Sequence, residues 1–322
     1  MTAMEHTGIQ HPRVSILTPM YNTQKYVHRL LDSVLAQDYP DIEMVVVDDG
    51  STDGSAEVVQ AYVPRFSARG YVLRYVYQAN SGQSVAIQNG LHLISGEYLA
   101  WPDSDDFYAT EDAISKMVGV LESAGEAFQM VRTQVRYVED GTLRLLRTRG
   151  EDAHEEEDAS LFEDCLFAQN GFYYCAGSYL VRTRVLQQLT GMEIYTEKNA
   201  GQNWQLLLPV LYKYRCKTIL EPLYTVVERA SSHSRGQYSG FSPSLVKIDA
   251  YHRTQWETLR RIPGIPEPQL SAYQRRLLAQ KDRWRREQSV LRLPGGACLL
   301  KTYKEAHHQL HLLKKSLSRH GR

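Results

Sequence analysis

The chain has 322 residues, 43% of them hydrophobic, with 37 basic and 37 acidic side chains. This size and apolar content suffice for one large domain or two coupled ones, and exclude a disordered or fibrous chain. A formal net charge of zero without a recognised nucleic-acid module argues against nucleic acid as a partner.

Residues up to Arg13 lack the apolar core of a signal peptide. No apolar run approaches the ~20 residues of a membrane span. The four cysteines, Cys165, Cys175, Cys216 and Cys298, form no CxxC pair and read as buried small hydrophobes in a reducing compartment. The expectation is a cytoplasmic protein, soluble or peripheral to the inner face of the membrane.

Val14–Thr18 is a β-branched apolar run that ends at Pro19 and predicts a buried strand. Lys25–Ala36 follows with apolar residues at helical spacing. Ile42–Val47 is a second strand, stopped by the turn cluster Asp48-Asp49-Gly50-Ser51-Thr52-Asp53, where Asp53 reads as a turn-maker or cap for a helix at Ala56–Tyr62. Tyr71–Val76 predicts a strand, Ser84–Ile94 a helix, and Tyr98–Trp101 a strand running into Asp103-Ser104-Asp105-Asp106. Farther on, Phe128–Val138 and Leu143–Thr148 predict a hairpin around Asp140-Gly141, and Glu151–Asp158 a solvated acidic loop. Tyr179–Leu189 and Trp204–Tyr214 predict helices, and Thr218–Val227 an extended segment. From about Lys247 the pattern is polar, basic and helical, with breaks at Pro263–Pro268 and Pro294-Gly295-Gly296.

Strands alternating with helices predict an α/β fold with a mostly parallel sheet covered on both faces. Ligands of such sheets lie beyond the carboxyl ends of the strands. Three of those ends carry Pro19 and Tyr21, Asp48 and Asp49, and Asp103 and Asp105. Acidic groups gathered at one edge are costly unless a cation or a ligand's donors sit among them, so that edge is the expected site.

Three segments taken together carry a resemblance: Val14 through Asn22, Val47 through Asp53, and Gly96-Glu97-Tyr98 running into Asp103-Ser104-Asp105-Asp106. In this order and spacing, over residues 13–110, they resemble glycosyltransferase family 2 with its GT-A, Rossmann-like fold. The resemblance implies a UDP-sugar donor, inversion at the anomeric carbon, and Mn²⁺ or Mg²⁺ held by Asp105. Asp103 would face the ribose or the donor sugar, Asp49 would accept from the uracil imide, and Tyr21 would stack near the base beside Pro19. Asn22 and Ser104 belong to the same donor-side motifs. Asn80-Ser81-Gly82-Gln83-Ser84 matches the loop over the nucleotide, with Asn80 and Gln83 on the donor side, though as a helix N-cap it needs no function. The family often has Arg where Gln88 stands. Ser231-Ser232-His233-Ser234 resembles the late loop in which a His reaches metal or diphosphate, with Arg229 and Arg235 as phosphate partners. Physically, a hard divalent cation reconciles a diphosphate with an acidic edge and stabilises the charge of the departing group.

One departure bears on mechanism. Where the family carries an acidic pair opening a helix, the chain has Gln202 and Asn203. An amide is too weak a base to take a hydroxyl proton near neutral pH. Asn203 then either caps its helix or orients the acceptor, while a neighbouring carboxylate, Glu197 or Glu193, takes the proton. Catalytically silent nucleotide-sugar binding is the rival reading. A dinucleotide-binding enzyme is disfavoured because no GxGxxG follows the first two strands.

The organisation expected is a donor half at 13–106, an acceptor half at 107–246 and a basic helical extension at 247–322. Residues 251–322 hold 16 Lys and Arg against 5 Asp and Glu, with basic clusters at Lys281-Asp282-Arg283-Trp284-Arg285-Arg286 and Lys314-Lys315. Such an extension either meets an anionic membrane that presents a lipid-linked saccharide acceptor, or packs on the domain or on a second copy.

Overall fold

A computed structural model describes residues 11–150, 161–229, 238–239 and 242–305. The acidic run at 151–158, His233, Arg235 and the Lys314-Lys315 pair lie outside the described residues.

The first four strands are β1 (Val14–Met20), β2 (Ile42–Asp48), β3 (Val72–Tyr77) and β4 (Tyr98–Ala100). They pair in parallel in the order β3-β2-β1-β4. Every residue of β1 and β2 is buried, which is why both are dominated by apolar residues on both faces, with Ser15 and Glu43 buried as a hydrogen-bonded pair. Helices α1 (Val27–Leu35), α2 (Ser55–Arg69) and α3 (Gln83–Leu91) connect them. Val27, Leu30, Leu31 and Val34 form the single buried stripe of α1. Helix α2 runs through Pro64 and stops at Gly70, whose φ of 84° suits a left-handed helix end.

The sheet continues with antiparallel strands. β5 is Phe107–Tyr108, β6 Phe128–Glu139, β7 Leu145–Arg149, β8 Tyr179–Arg182 and β9 Arg215–Glu228. Among the described residues the whole forms a nine-stranded sheet in the order β3-β2-β1-β4-β8-β6-β9-β5, with β7 paired to β6. β6 and β9 run parallel, with register shifts around Gln134. Helix α4 (Ala113–Ser123) buries Ala113, Ile114, Met117, Val118 and Leu121 against one face. The remaining helices of this part are α5 (Phe162–Phe167), α6 (Thr183–Thr190) and α7 (Asn203–Lys213).

The helix expected over Tyr179–Leu189 is instead a strand followed by a helix. Tyr179, Leu180 and Val181 pair with β6, and Leu180 and Val181 are fully buried. A slot between β4 and β6 outweighs the local helical spacing, and the helix begins only at Thr183. The cysteine expectation also needs correction, since Cys298 is exposed whereas Cys165 is buried.

The chain divides into two compact units, one of residues 1–229 and 254–266, the other of residues 230–253 and 267–322. In the second unit, helix Glu267–Leu291 buries Tyr273, Leu277, Gln280, Trp284 and Gln288 along one stripe. Arg275, Arg283 and Arg286 are exposed on the same helix. No helix among the described residues is long and apolar enough to cross a membrane.

Candidate active site

The carboxyl ends of β1 and β2 are tied to each other by short polar side chains. Asn22 adopts φ 51°, a left-handed conformation that Asn tolerates better than most residues. Its Oδ1 accepts the N–H of Thr52 at 2.8 Å, and its own N–H donates to Ser51 Oγ at 2.9 Å. Asp48 accepts the Ser51 N–H at 2.8 Å and the Tyr75 hydroxyl at 2.7 Å. Asp53 accepts the N–H groups of Ser55 and Gln24, so it makes the turn as the sequence suggests. Tyr21 stands 44% exposed at this edge, and Pro19 lies within buried β1.

Asp49 organises the loop that follows β3. Its buried carboxylate accepts the Gln78 side-chain amide and the N–H groups of Ser81 and Gly82, each at 2.8 Å. The Asn80 amide donates to the Asp49 carbonyl at 3.0 Å. Gly82 has φ 100°, and a Cβ there would lie 2.6 Å from the Lys198 carbonyl oxygen. Only glycine fits this conformation and this approach. The Asp49 carboxylate therefore shapes the 78–82 turn and retains acceptor capacity on Oδ2.

The Asp103–Asp106 loop leaves β4 and meets three other elements. Asp103 Oδ1 accepts from Gln83 at the start of α3, at 3.1 Å, and from Gln202 at the start of α7, at 3.3 Å. Burial pushes its carboxyl up to about 6, against the pull of those two amides. Ser104 beside it is buried. Asp105 forms an ion pair with Arg229, whose guanidinium carbon lies 4.2 Å from the Tyr26 ring centroid. Asp106 is buried and accepts the Val227 N–H at 2.9 Å. Its carboxyl is raised well above the ordinary range, first by burial and then by the charge of Asp103.

Among the described residues no cluster of three His, Cys, Asp or Glu could hold a metal by itself. The donor set present is one partly exposed carboxylate, Asp105, which already draws a cationic partner. A lone hard oxygen donor of this kind would suit a divalent ion such as Mg²⁺ that draws most of its ligands from outside the protein.

On the other side of Asp103, Asn203 opens α7 with both ends of its amide engaged. Its Oδ1 accepts the Trp101 indole N–H at 3.2 Å, and its Nδ2 donates to the Tyr174 carbonyl at 3.0 Å. Trp101 is fully buried and stacks on Tyr179 with centroids 6.1 Å apart. The segment before α7 is fastened to α3. The Ser84 hydroxyl donates to the Glu197 carbonyl at 2.8 Å, and Gln88 bonds the Met192 carbonyl and the Ile194 N–H. Gln88 is thus a clamp on this segment. The Glu197 carboxylate accepts the Tyr195 hydroxyl at 2.5 Å. Glu193 is exposed and paired with His92 at the far end of α3 from Gln83.

The structure therefore gathers Asp49 with Asn80, and Asp103 with Gln83 and Gln202, at one edge, with Asp105 on Arg229. Sequence reasoning missed Tyr26, Trp101 and Tyr174, because their contacts join segments far apart in the chain. It flagged Gln202 only as a departure from a pattern. The DSDD run was a signal for Asp106, but its partner Val227 lies 121 residues away.

Comparison with known proteins places this edge in a family. Residues 15–190, more than half of the chain, match Glycosyl transferase family 2. Glycosyltransferase GlyA of Streptococcus pneumoniae is 40% identical over 95 residues, 30% of this chain and 13% of that protein. The putative teichuronic acid biosynthesis glycosyltransferase TuaG of Bacillus subtilis is 35% identical over 131 residues, 41% of this chain and 50% of TuaG. The chain thus spans half or less of the length of these relatives. Among solved structures, S. aureus TarS 1-349 in complex with UDP-GlcNAc superposes with a TM-score of 0.64 at 19% identity, covering 88% of this chain and 76% of that one. Mannosyltransferase PcManGT from Pyrobaculum calidifontis, in complex with GDP-Man and Mn²⁺, gives 0.52 at 18% identity, covering 92% and 81%. The fold is that of GT-A glycosyltransferases, and the chain belongs to glycosyl transferase family 2.

Proposed function

We propose that the chain transfers a sugar from a UDP-sugar to an acceptor hydroxyl, with inversion, in the synthesis of a polysaccharide or glycoconjugate. The observation that carries this reading is the meeting of two loops at one sheet edge: the 78–82 turn held by Asp49, and the acidic loop whose Asp105 is held by Arg229. Support comes from the family match and from the nucleotide sugars in the TarS and PcManGT complexes.

In this reading Tyr21, beside Pro19, stacks on uracil, and the spare acceptor capacity of Asp49 Oδ2 receives the imide N–H. Asn22 and Asn80 hold the two walls of the base site together. Gln83 and Asp103 face the ribose and the donor sugar, with buried Ser104 keeping the loop between Asp103 and Asp105 close-packed. Asp105, with His233 from the later segment, would hold Mn²⁺ or Mg²⁺. When bound, that ion supplies charge stabilisation to the departing diphosphate.

The acceptor hydroxyl must lose a proton as it attacks. Asn203 cannot take it, and its amide is committed to Trp101 and Tyr174. Its part is to fix the wall against which the acceptor rests. Glu197, held through Ser84 and Tyr195, is the carboxylate assigned to the proton. The acceptor is a saccharide or a lipid-linked saccharide, the latter met through the basic residues of the C-terminal region. A second reading, nucleotide-sugar binding without turnover, is favoured by that same engagement of Asn203. A panel of labelled UDP-sugars with Mn²⁺, scored for release of UDP, separates the two.

A further inference from the structure

The Arg229 side chain is only 13% exposed and pairs with Asp105, which is 25% exposed. Nη2 serves Asp105, whereas the Nε donor is buried with no acceptor among the described residues. A guanidinium presents five N–H donors in a rigid fork suited to two oxygens at once. Here the fork is under-used, and its flat face rests 4.2 Å from the Tyr26 centroid. The backbone beneath is fastened. Val227 donates to Asp106, and the neighbouring Glu228 pairs with Arg147. A change of partner therefore involves the Arg229 side chain and not the strand.

The charges around it explain why Asp105 has such a partner. Asp103 and Asp106 belong to the same loop, the first half-buried and the second buried. An ionised Asp105 without a counter-charge would add a further carboxylate to this partly desolvated cluster. A guanidinium relieves it, but it is bulky and occupies a carboxylate oxygen that a divalent ion would need. Arg229 and a free cation therefore compete for Asp105. A diphosphate removes the competition because it offers the fork the acceptors it lacks.

We propose that Arg229 is a resident counter-cation for Asp105 that changes partners when the donor binds. Its fork turns across Tyr26 from Asp105 to the diphosphate oxygens, and Asp105 is released to the divalent ion. The exchange rests on the donor reading above and adds to it a coupling: cation and nucleotide bind cooperatively, and each raises the affinity of the other by the same factor. Arg229 is in this sense a positioning residue for Asp105.

The test is binding, independent of turnover. Mn²⁺ is titrated into the full chain with and without saturating UDP, and free Mn²⁺ is read by electron paramagnetic resonance. In the parent, UDP should tighten Mn²⁺ binding by at least about 10-fold, the equivalent of about 1.4 kcal/mol. Arg229→Met should bind Mn²⁺ alone more tightly than the parent, also by about 10-fold, and should show a smaller effect of UDP. Arg229→Lys keeps the charge without the fork, so Mn²⁺ alone should bind as in the parent while the effect of UDP shrinks. It also guards against misfolding of the Met variant. Unchanged or weaker binding of Mn²⁺ alone to Arg229→Met overturns the exchange. Mn²⁺ binding that survives Asp105→Asn overturns the exchange and the metal reading of Asp105 together.

Discussion

Gln202 donates its side-chain amide to Asp103 Oδ1 across 3.3 Å, and so meets a desolvated carboxyl where the family resemblance implies an acid. A carboxylate at position 202 would put two acids at that distance, and they could not both ionise. The amide instead lets Asp103 ionise while it bridges the starts of α3 and α7.

Burial outweighs this bridge and makes Asp103 a cost to the fold near neutral pH. An acid whose folded value is about 6, against an ordinary 3.8, keeps its proton longer when folded. Its effect on stability is nil well below the ordinary value, grows as pH rises from there toward about 6, and is constant above that. A shift of this size is worth at most about 3 kcal/mol. Asp103→Asn preserves an acceptor for Gln83 and Gln202 and removes the charge. Calorimetric melting should show the variant more stable than the parent at pH 7.5 and equal to it at about pH 3, with donor turnover lost. A variant less stable than the parent at pH 7.5 would contradict the assignment.

Asp49 is predicted to act on the nucleotide through the turn it builds. Asp49→Ala leaves the Gln78 amide and the Ser81 and Gly82 N–H groups without their acceptor. UDP affinity measured by titration calorimetry should fall by at least about 10-fold. The same affinity in parent and variant would return Asp49 to a purely structural role.

At the acceptor wall, Asn203 and Glu197 should separate by what each variant changes. Asn203→Ala orphans the Trp101 N–H and the Tyr174 carbonyl, so stability should fall by about 2 kcal/mol. The acceptor's apparent KM should rise in the same variant. Glu197→Gln should lower turnover by about 10²-fold with UDP affinity kept. The reverse pattern would exchange the two roles.

Much of the parallel half of the sheet was legible in the chain because it is built locally. β1 and β2 are mostly apolar strands, each followed by a polar turn, and the DSDD run lies just beyond β4. Alternation of strand and helix then placed these ends on one edge. The part from β5 to α7 was less legible because its determinants are distant pairings. Tyr179–Arg182 became a strand only because β4 and β6 leave a slot for it. Asn203 with Trp101, Asp105 with Arg229 and Asp106 with Val227 each join residues more than 100 positions apart, and neither periodicity nor spacing encodes such contacts.

The basic C-terminal region gives a fourth prediction. Helix Glu267–Leu291 buries Tyr273, Leu277 and Trp284, so removing it would break the second unit's packing as well as its charge. Neutralising exposed Arg275, Arg283 and Arg286 to Gln is the cleaner change. If this face meets anionic lipid, each charge contributes about 1 kcal/mol. The triple variant should then sediment far less with phosphatidylglycerol vesicles at low salt, and raised salt should release the parent. A parent that ignores such vesicles at low salt would leave packing or self-association as the role of the region.

Transfer from a UDP-sugar is proposed at the edge formed by Asp49, Asp103 and Asp105. The most direct measurement is UDP release from a panel of UDP-sugars, with saccharide acceptors and Mn²⁺, by the parent and by Asp105→Ala. The parent should release UDP from at least one donor, and that release should be lost in Asp105→Ala and in the parent when EDTA is added. UDP-sugars that bind the parent yet yield no UDP with any donor, or release that is unaffected by both Asp105→Ala and EDTA, would contradict it.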